Sequence, residues 1–189
     1  IGSTLLVVEW APMGFQPRIE PGLVVESYAL TQVVDRIDQM APFSAPVLIV
    51  GEPSVGKERM AGELHHRGGR SPFLAIRPGA PAVLEEALKR AGSGTVFISD
   101  IASANLPFQR LLAGILERHD MASVGRVVSS YPEPRILCST SRDLTDLVID
   151  GHFDEVLYGR LVRGEVRIPP LRERKVDILP LAQEIADGV

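Results

Sequence analysis

Apolar positions along this chain switch between two spacings. Ala29, Val33, Val34, Ile37 and Met40 recur at helical intervals, which predicts a helix with one buried face. Pro46-Val-Leu-Ile-Val50 is a short continuous apolar run, as in a strand covered on both sides. The alternation then repeats. Lys57 to Arg67 predicts a helix that stops at Gly68-Gly69. Pro72–Ile76 predicts a strand, Val83–Ala91 a helix ending at Gly92, and Thr95–Ile98 a strand. Leu106, Leu111, Leu112, Ile115 and Leu116 mark another helix. Arg135–Ser139 reads as a strand, and Leu144–Ile149 and Phe153–Leu161 as short helices. Val166–Ile168 is a strand stopped by Pro169-Pro170, and Val176–Ala186 is a last helix. Strands alternating with helices predict an α/β fold with a mainly parallel sheet. Such a sheet binds ligands at the carboxyl ends of its strands.

Ahead of this pattern, Leu5–Trp10 reads as a short strand. Ala11 to Gly22 carries Pro12, Gly14, Pro17, Pro21 and Gly22, so it reads as a linker. A length of 189 residues fits one large domain, or one domain and a fragment. Apolar residues at 45% and charged residues at 23% give a globular composition. The formal net charge of −4 argues against binding DNA by charge alone. The single cysteine, Cys138, leaves no internal disulfide and no Cys-rich metal site. No apolar run approaches the ~20 residues that cross a bilayer. No basic region precedes Leu5-Leu-Val-Val8, as a signal peptide would require. We therefore expect a cytoplasmic domain without membrane contact. The chain begins at Ile1, so we expect a piece of a longer protein.

Gly51-Glu-Pro-Ser-Val-Gly56-Lys57 fits G-x-x-x-x-G-K, between a predicted strand and a predicted helix. Glycines let backbone N–H groups close around phosphate oxygens, and a helix N-terminus adds its positive end. Lys57 would bridge the outer phosphates. Glu58 follows where a Mg²⁺-binding Ser or Thr commonly stands.

With five segments in place, the sequence resembles the central AAA+ domain of sigma-54-dependent transcription activators, the bacterial enhancer-binding proteins. The resemblance covers about Leu23 to Ala186. Val47–Glu58 is similar to the family's Walker A. Leu64-His65 with Arg70 and Pro72-Phe73 matches the stretch that follows. Gly94–Ile101 looks like Walker B, and Arg135–Leu144 like the sensor I strand. Phe153–Leu161, then Ile168-Pro-Pro-Leu-Arg-Glu-Arg174 and Asp177-Ile178, matches the arginine-finger helix and the lid entry. The resemblance implies a three-layer α/β/α P-loop domain over 23–170, an N-terminal segment over 1–22, and a lid beginning at 171–189. Only one lid helix would then fall within the chain. It also implies ATP or ADP on Gly51, Glu52, Pro53, Ser54, Val55, Gly56, Lys57 and Glu58, with Ser99 and Ser141 alongside. Asp100 would be the catalytic carboxylate and the Mg²⁺ ligand, and Arg160 the arginine finger.

Departures from the family pattern change that picture. The family's sigma-54-contacting loop, Gly-Ala-Phe-Thr-Gly-Ala, does not occur in the sequence; only Pro78 to Ser93 fills its place. The Asp-Glu pair of Walker B is Ser99-Asp100. The switch Asn aligns with Arg77, the sensor I Asn with Ser141, and the first finger arginine with Asp154. A Gly near the adenine site aligns with Val25. Losing one stabilising group typically costs ~10²–10³ in rate, and phosphoryl transfer depends on such groups acting together. We therefore expect a degenerate nucleotide-binding domain of a bacterial transcriptional regulator, of response-regulator or enhancer-binding type. Hydrolysis would be weak or absent, and the domain would act without sigma-54. Self-assembly, contact with RNA polymerase machinery, and DNA binding through a domain elsewhere are the partners implied. An active remodelling ATPase and a nucleotide-free oligomerisation module are the alternatives.

Other residues carry weaker signals. Arg77 could meet Asp100 or phosphate. Arg160 could instead pair on its own helix with Glu155 or Asp154. Arg172 and Arg174 are expected in a solvated loop before the lid helix. Adjacent His65 and His66 point apart on a helix and are expected to pack rather than bind metal. Cys138 is expected to be a small buried residue.

Overall fold

The computed structural model describes residues 11–17, 23–123 and 133–187. Helix α1 (Tyr28–Met40) leads into β1 (Val47–Val50), then α2 (Lys57–Arg67), β2 (Phe73–Ile76), α3 (Pro81–Ala91) and β3 (Thr95–Ile98). Helix α4 (Leu106–Ser123), β4 (Arg135–Thr140), α5 (Leu144–Ile149), α6 (Glu155–Leu161), β5 (Glu165–Arg167) and α7 (Ile178–Asp187) complete the order. The predicted alternation is present element by element.

The strands form one parallel five-stranded sheet in the order β2-β3-β4-β1-β5. Successive side chains on a strand face opposite sides, and this splits the core into two layers. Val47, Ile49, Phe97 and Leu137 join Leu30, Val34 and Ile37 of α1 and Met60 and Leu64 of α2. Leu48, Val96, Ile98, Ile136 and Cys138 join Leu84 of α3, Phe108 and Leu112 of α4, and Leu157 and Leu161 of α6. The result is the expected α/β/α arrangement. The chain leaves β1 through α2, on one face, to reach β2 at the far edge. It leaves β4 through α5 and α6, on the other face, to reach β5. The crevice between the ends of β1 and β4 is thus the switch point where open sheets of this class hold ligands.

Where boundaries differ from the sequence expectation, capping explains the shift. Helix α3 begins at Pro81, whose fixed φ suits a first helical position, and not at Val83. Helix α6 begins after Asp154, whose carboxylate accepts the Leu157 N–H at 2.9 Å. Residues Lys175–Asp177 form a 3₁₀ turn, so α7 starts two residues later than Val176. The expected strand Leu5–Trp10 lies outside the described residues. Part of the expected linker is ordered: Phe15 N–H bonds the Pro12 carbonyl at 3.0 Å, and the Phe15 ring meets the Tyr28 edge at 5.3 Å.

Arg135, the first residue of β4, is only 1% exposed. Its guanidinium donates to the carbonyls of Met40 (2.8 Å), Ala41 (3.0 Å) and Ala45 (3.3 Å). Carbonyls at a helix C-terminus lack intrahelical partners and carry partial negative charge, so a buried cation is well placed there. Burial, with help from Arg70, pushes Arg135 down to about 10, which leaves it charged at neutral pH. Replacing Arg135 by Met strands these carbonyls. We expect a loss of about 3 kcal/mol of folding stability, read as a lower urea midpoint, with partial recovery in Arg135→Lys.

Candidate functional site

The loop Gly51–Gly56 leaves β1 at the crevice. Gly51 N–H bonds the Thr140 carbonyl at 3.2 Å, tying the loop to the end of β4. A Cβ on Gly51 would stand 2.9 Å from the Val55 side chain and 3.2 Å from the Ile168 carbonyl, so only glycine fits. Gly56 caps α2 in the left-handed region, at φ +97°. Ser54 also has positive φ, 62°. The loop is therefore wound tightly before the helix begins, the geometry that turns successive N–H groups toward an anion.

Lys57 opens α2 and folds back over the loop. Its Nζ donates to the Gly51 carbonyl at 2.9 Å and the Glu52 carbonyl at 2.7 Å. Burial lowers the Lys57 pKa, and the nearby charge of Asp100 opposes that shift. Asp100 follows β3 with its backbone in the left-handed region, φ 53° and ψ 57°. Its N–H meets the Ser139 hydroxyl at 3.3 Å, and its side chain is exposed. Asp100, far from Lys57 in sequence, is thus close enough in the fold for its charge to act on Lys57.

The remaining candidates are placed less uniformly. Ser99 donates its hydroxyl to the Ile76 carbonyl at 3.2 Å, toward β2. Ser141 is exposed just beyond β4. Glu52 is held by Arg172 through contacts of 2.7 and 2.8 Å, which keep its carboxyl below the usual range. Pro53 and Glu58 are exposed, and Val55 is half-buried against the α1–α2 layer. Arg160 lies 3.5 Å from Glu117 of α4. Arg77 is exposed at the end of β2. Val25 is buried in the core. Cys138 is buried, and burial pushes its thiol up. His65 Nδ1 lies 2.9 Å from the Thr95 hydroxyl, its ring 5.0 Å from Phe73, and burial lowers its pKa.

A cavity of about 750 Å³ opens beside the loop, along β5. Leu48, Val50, Ser141, Tyr158 and Arg167 line it, and it touches Gly51 and Glu52. Lys57, Ser99 and Asp100 do not line it. Among the described residues, no three His, Cys, Asp or Glu side chains gather as a metal-holding group. No helix among them is long and apolar enough to cross a membrane.

Sequence reasoning placed Arg174 in a solvated loop, and the structure corrects this. Arg174 is 5% exposed and donates to the Val55 carbonyl at 2.9 Å and the Pro169 carbonyl at 3.0 Å. Asp177, expected only as part of the lid-entry segment, is 0% exposed and binds the entry to α1. Only Ser27 carried a legible signal, as a helix cap before an apolar periodic run.

A parallel sheet, a glycine-bounded loop at its switch point and a lysine at the following helix start define a P-loop α/β domain. The chain belongs to the Sigma-54 interaction domain family, which matches residues 24–171. It is 30% identical over 187 residues to the Psp operon transcriptional activator of Escherichia coli (strain K12), covering 87% of this chain and 58% of that protein. It is 32% identical over 189 residues to a Nif-specific regulatory protein of Rhodobacter capsulatus, covering 88% of this chain and 33% of that protein. The chain thus spans less than two thirds of either relative. Its fold is similar to NtrX from Brucella abortus, solved in complex with ADP and with ATP, at TM-scores of 0.72 and 0.69. Identities there are 24% and 25%, covering 88% and 87% of this chain and 42% and 43% of that chain.

The action of the Asp100 charge on Lys57 generates a direct test. Neutralising Asp100 with Asn removes the opposing charge, so the Lys57 pKa should fall further. Following the Lys57 side-chain resonance with pH in both proteins checks the sign.

Proposed function

We propose that this chain is an AAA+ nucleotide-binding domain of a bacterial transcription regulator, one that holds ATP or ADP and hydrolyses it poorly. The observation that carries the reading is the asymmetry of the crevice. The binding half, Gly51 to Lys57, is wound and in register between β1 and α2. The acidic half offers Asp100 alone, because its neighbour is Ser99. Phosphate oxygens would displace the Gly51 and Glu52 carbonyls from Lys57 and take its ammonium, with backbone N–H groups of the loop alongside. Asp100 supplies one carboxylate near those phosphates. A Mg²⁺ ion held by it would complete its shell with phosphate oxygens and water, as Mg²⁺ usually does, and would add charge neutralisation. One carboxylate cannot hold the metal shell and polarise an attacking water at once. Ser99, turned toward Ile76, contributes neither function.

NtrX, with its ADP and ATP complexes, supports nucleotide as the ligand class. The family match supports a role in transcription regulation. The absence of Gly-Ala-Phe-Thr-Gly-Ala from the sequence supports action without the family's usual sigma-54 contact. Residues 23–170 would form the P-loop domain and 171–189 the start of the lid. Arg160 would reach a neighbouring subunit only after leaving Glu117, so assembly would not depend on a poised finger.

Calorimetric titration with ATP and ADP, with and without Mg²⁺, tests the reading on a protein that includes the complete lid. We expect binding in the micromolar range, abolished by Lys57→Ala, and phosphate release near background. Absence of binding below millimolar nucleotide would sink the proposal. The second reading, an active ATPase with Asp100 in place of the family pair, is favoured by the proximity of Asp100 to Lys57. It predicts brisk turnover removed by both Lys57→Ala and Asp100→Asn.

A further inference from the structure

We propose that Arg174 and Asp177 are positioning residues for the phosphate loop, coupling it to the entry of α1 and to the chain that follows β5. This rests on the nucleotide-binding reading above for its consequence, though not for its geometry. Asp177 sits in the 3₁₀ turn before α7. One carboxylate oxygen accepts the N–H groups of Glu26 (2.8 Å) and Ser27 (2.7 Å). The other accepts the Ser27 hydroxyl at 2.7 Å and lies 3.8 Å from Arg174 Nη1. The Ser27 Oγ in turn accepts the Leu30 N–H at 3.1 Å, capping α1. Arg174 then spans from Pro169 to Val55 through its Nε and Nη2.

The Val55 carbonyl is the informative end of this chain of bonds. A peptide unit is planar and trans, so its C=O and N–H point in opposite directions. Holding the Val55 carbonyl against Arg174 therefore fixes the Gly56 N–H on the other side of the same plane. That N–H is one of the donors of the loop, and it immediately precedes Lys57. Two largely buried charges are costly unless every lone pair and proton is used. Here three donors and a guanidinium satisfy one carboxylate, so removing either partner leaves an uncompensated group. A second link runs from the same segment: Glu184 of α7 accepts a 3.0 Å hydrogen bond from Arg59 of α2. Loop, α1 entry and post-β5 chain therefore move together or not at all.

The experiment uses Arg174→Met, Asp177→Asn and Ser27→Ala in the protein with its complete lid. ATP affinity is measured by titration well below the melting temperature, and amide hydrogen exchange is followed by mass spectrometry. A hydrogen bond to a charged group contributes enough to change an equilibrium by roughly ten- to a hundred-fold. We expect ATP binding weakened by about that factor in the first two variants and by less in Ser27→Ala. Exchange should quicken at 23–27 and 51–57 together in each variant, with the β3 and β4 amides unchanged. Wild-type affinity in folded Arg174→Met or Asp177→Asn overturns the proposal, and so does faster exchange spread evenly over the sheet. If the two charge variants do not fold, Ser27→Ala decides on the same two readouts. If the parent protein binds no ATP, the functional reading has failed. The coupling is then judged by exchange alone: quickening at 51–57 in Asp177→Asn supports it, and unchanged exchange there overturns it.

Discussion

The rest of the structure hangs on the confinement of β1. Its two long edges are taken by β4 and β5, and both its faces are covered by apolar helices. The chain can leave only past the strand's carboxyl end, in a space bounded by Thr140 and Ile168. Glycine at 51 and a left-handed turn at 56 are what that exit demands. The anion-binding character of the loop follows from the same constraint, because a backbone wound this tightly presents its N–H groups inward. Side chains that reach the crevice from beyond the ends of β3 and β4 stand outside that constraint.

That difference in origin separates two groups of residues at the crevice. Gly51, Gly56 and Lys57 are anchored to the packing of β1 and α2. Ser99, Asp100 and Ser141 sit beyond the ends of β3 and β4, where side chains can change without disturbing the layers. Ser99 turned to the Ile76 carbonyl, and Arg160 engaged with Glu117, are local solutions of that kind.

Local pattern was enough to find the strands. Runs such as Val47–Ile49 and Val96–Ile98 are apolar throughout because both sides are buried, and that is visible in one dimension. The P-loop was legible because its glycines and lysine are contiguous. Arg174 and Asp177 were not, since Val55 and Ser27, which they bind, lie more than a hundred residues away and a charged residue near two prolines reads as surface. Arg135 was read as a strand residue, yet its role in closing α1 depends on where Met40 and Ala41 finish, which no spacing rule reveals. Helix starts at Pro81 and Glu155 moved by two residues from expectation because caps, not apolar periodicity, set them.

One consequence of the architecture belongs to α1 as a whole. Asp177 grips its first turn through Ser27, and Arg135 grips its last through Met40 and Ala41. A rod clamped in two brackets cannot slip lengthwise to absorb a disturbance at one of them. The two clamps stand at opposite ends of the sheet, one beside the loop that follows β1 and one at the root of β4, so α1 ties the rim of the crevice to the underside of the sheet.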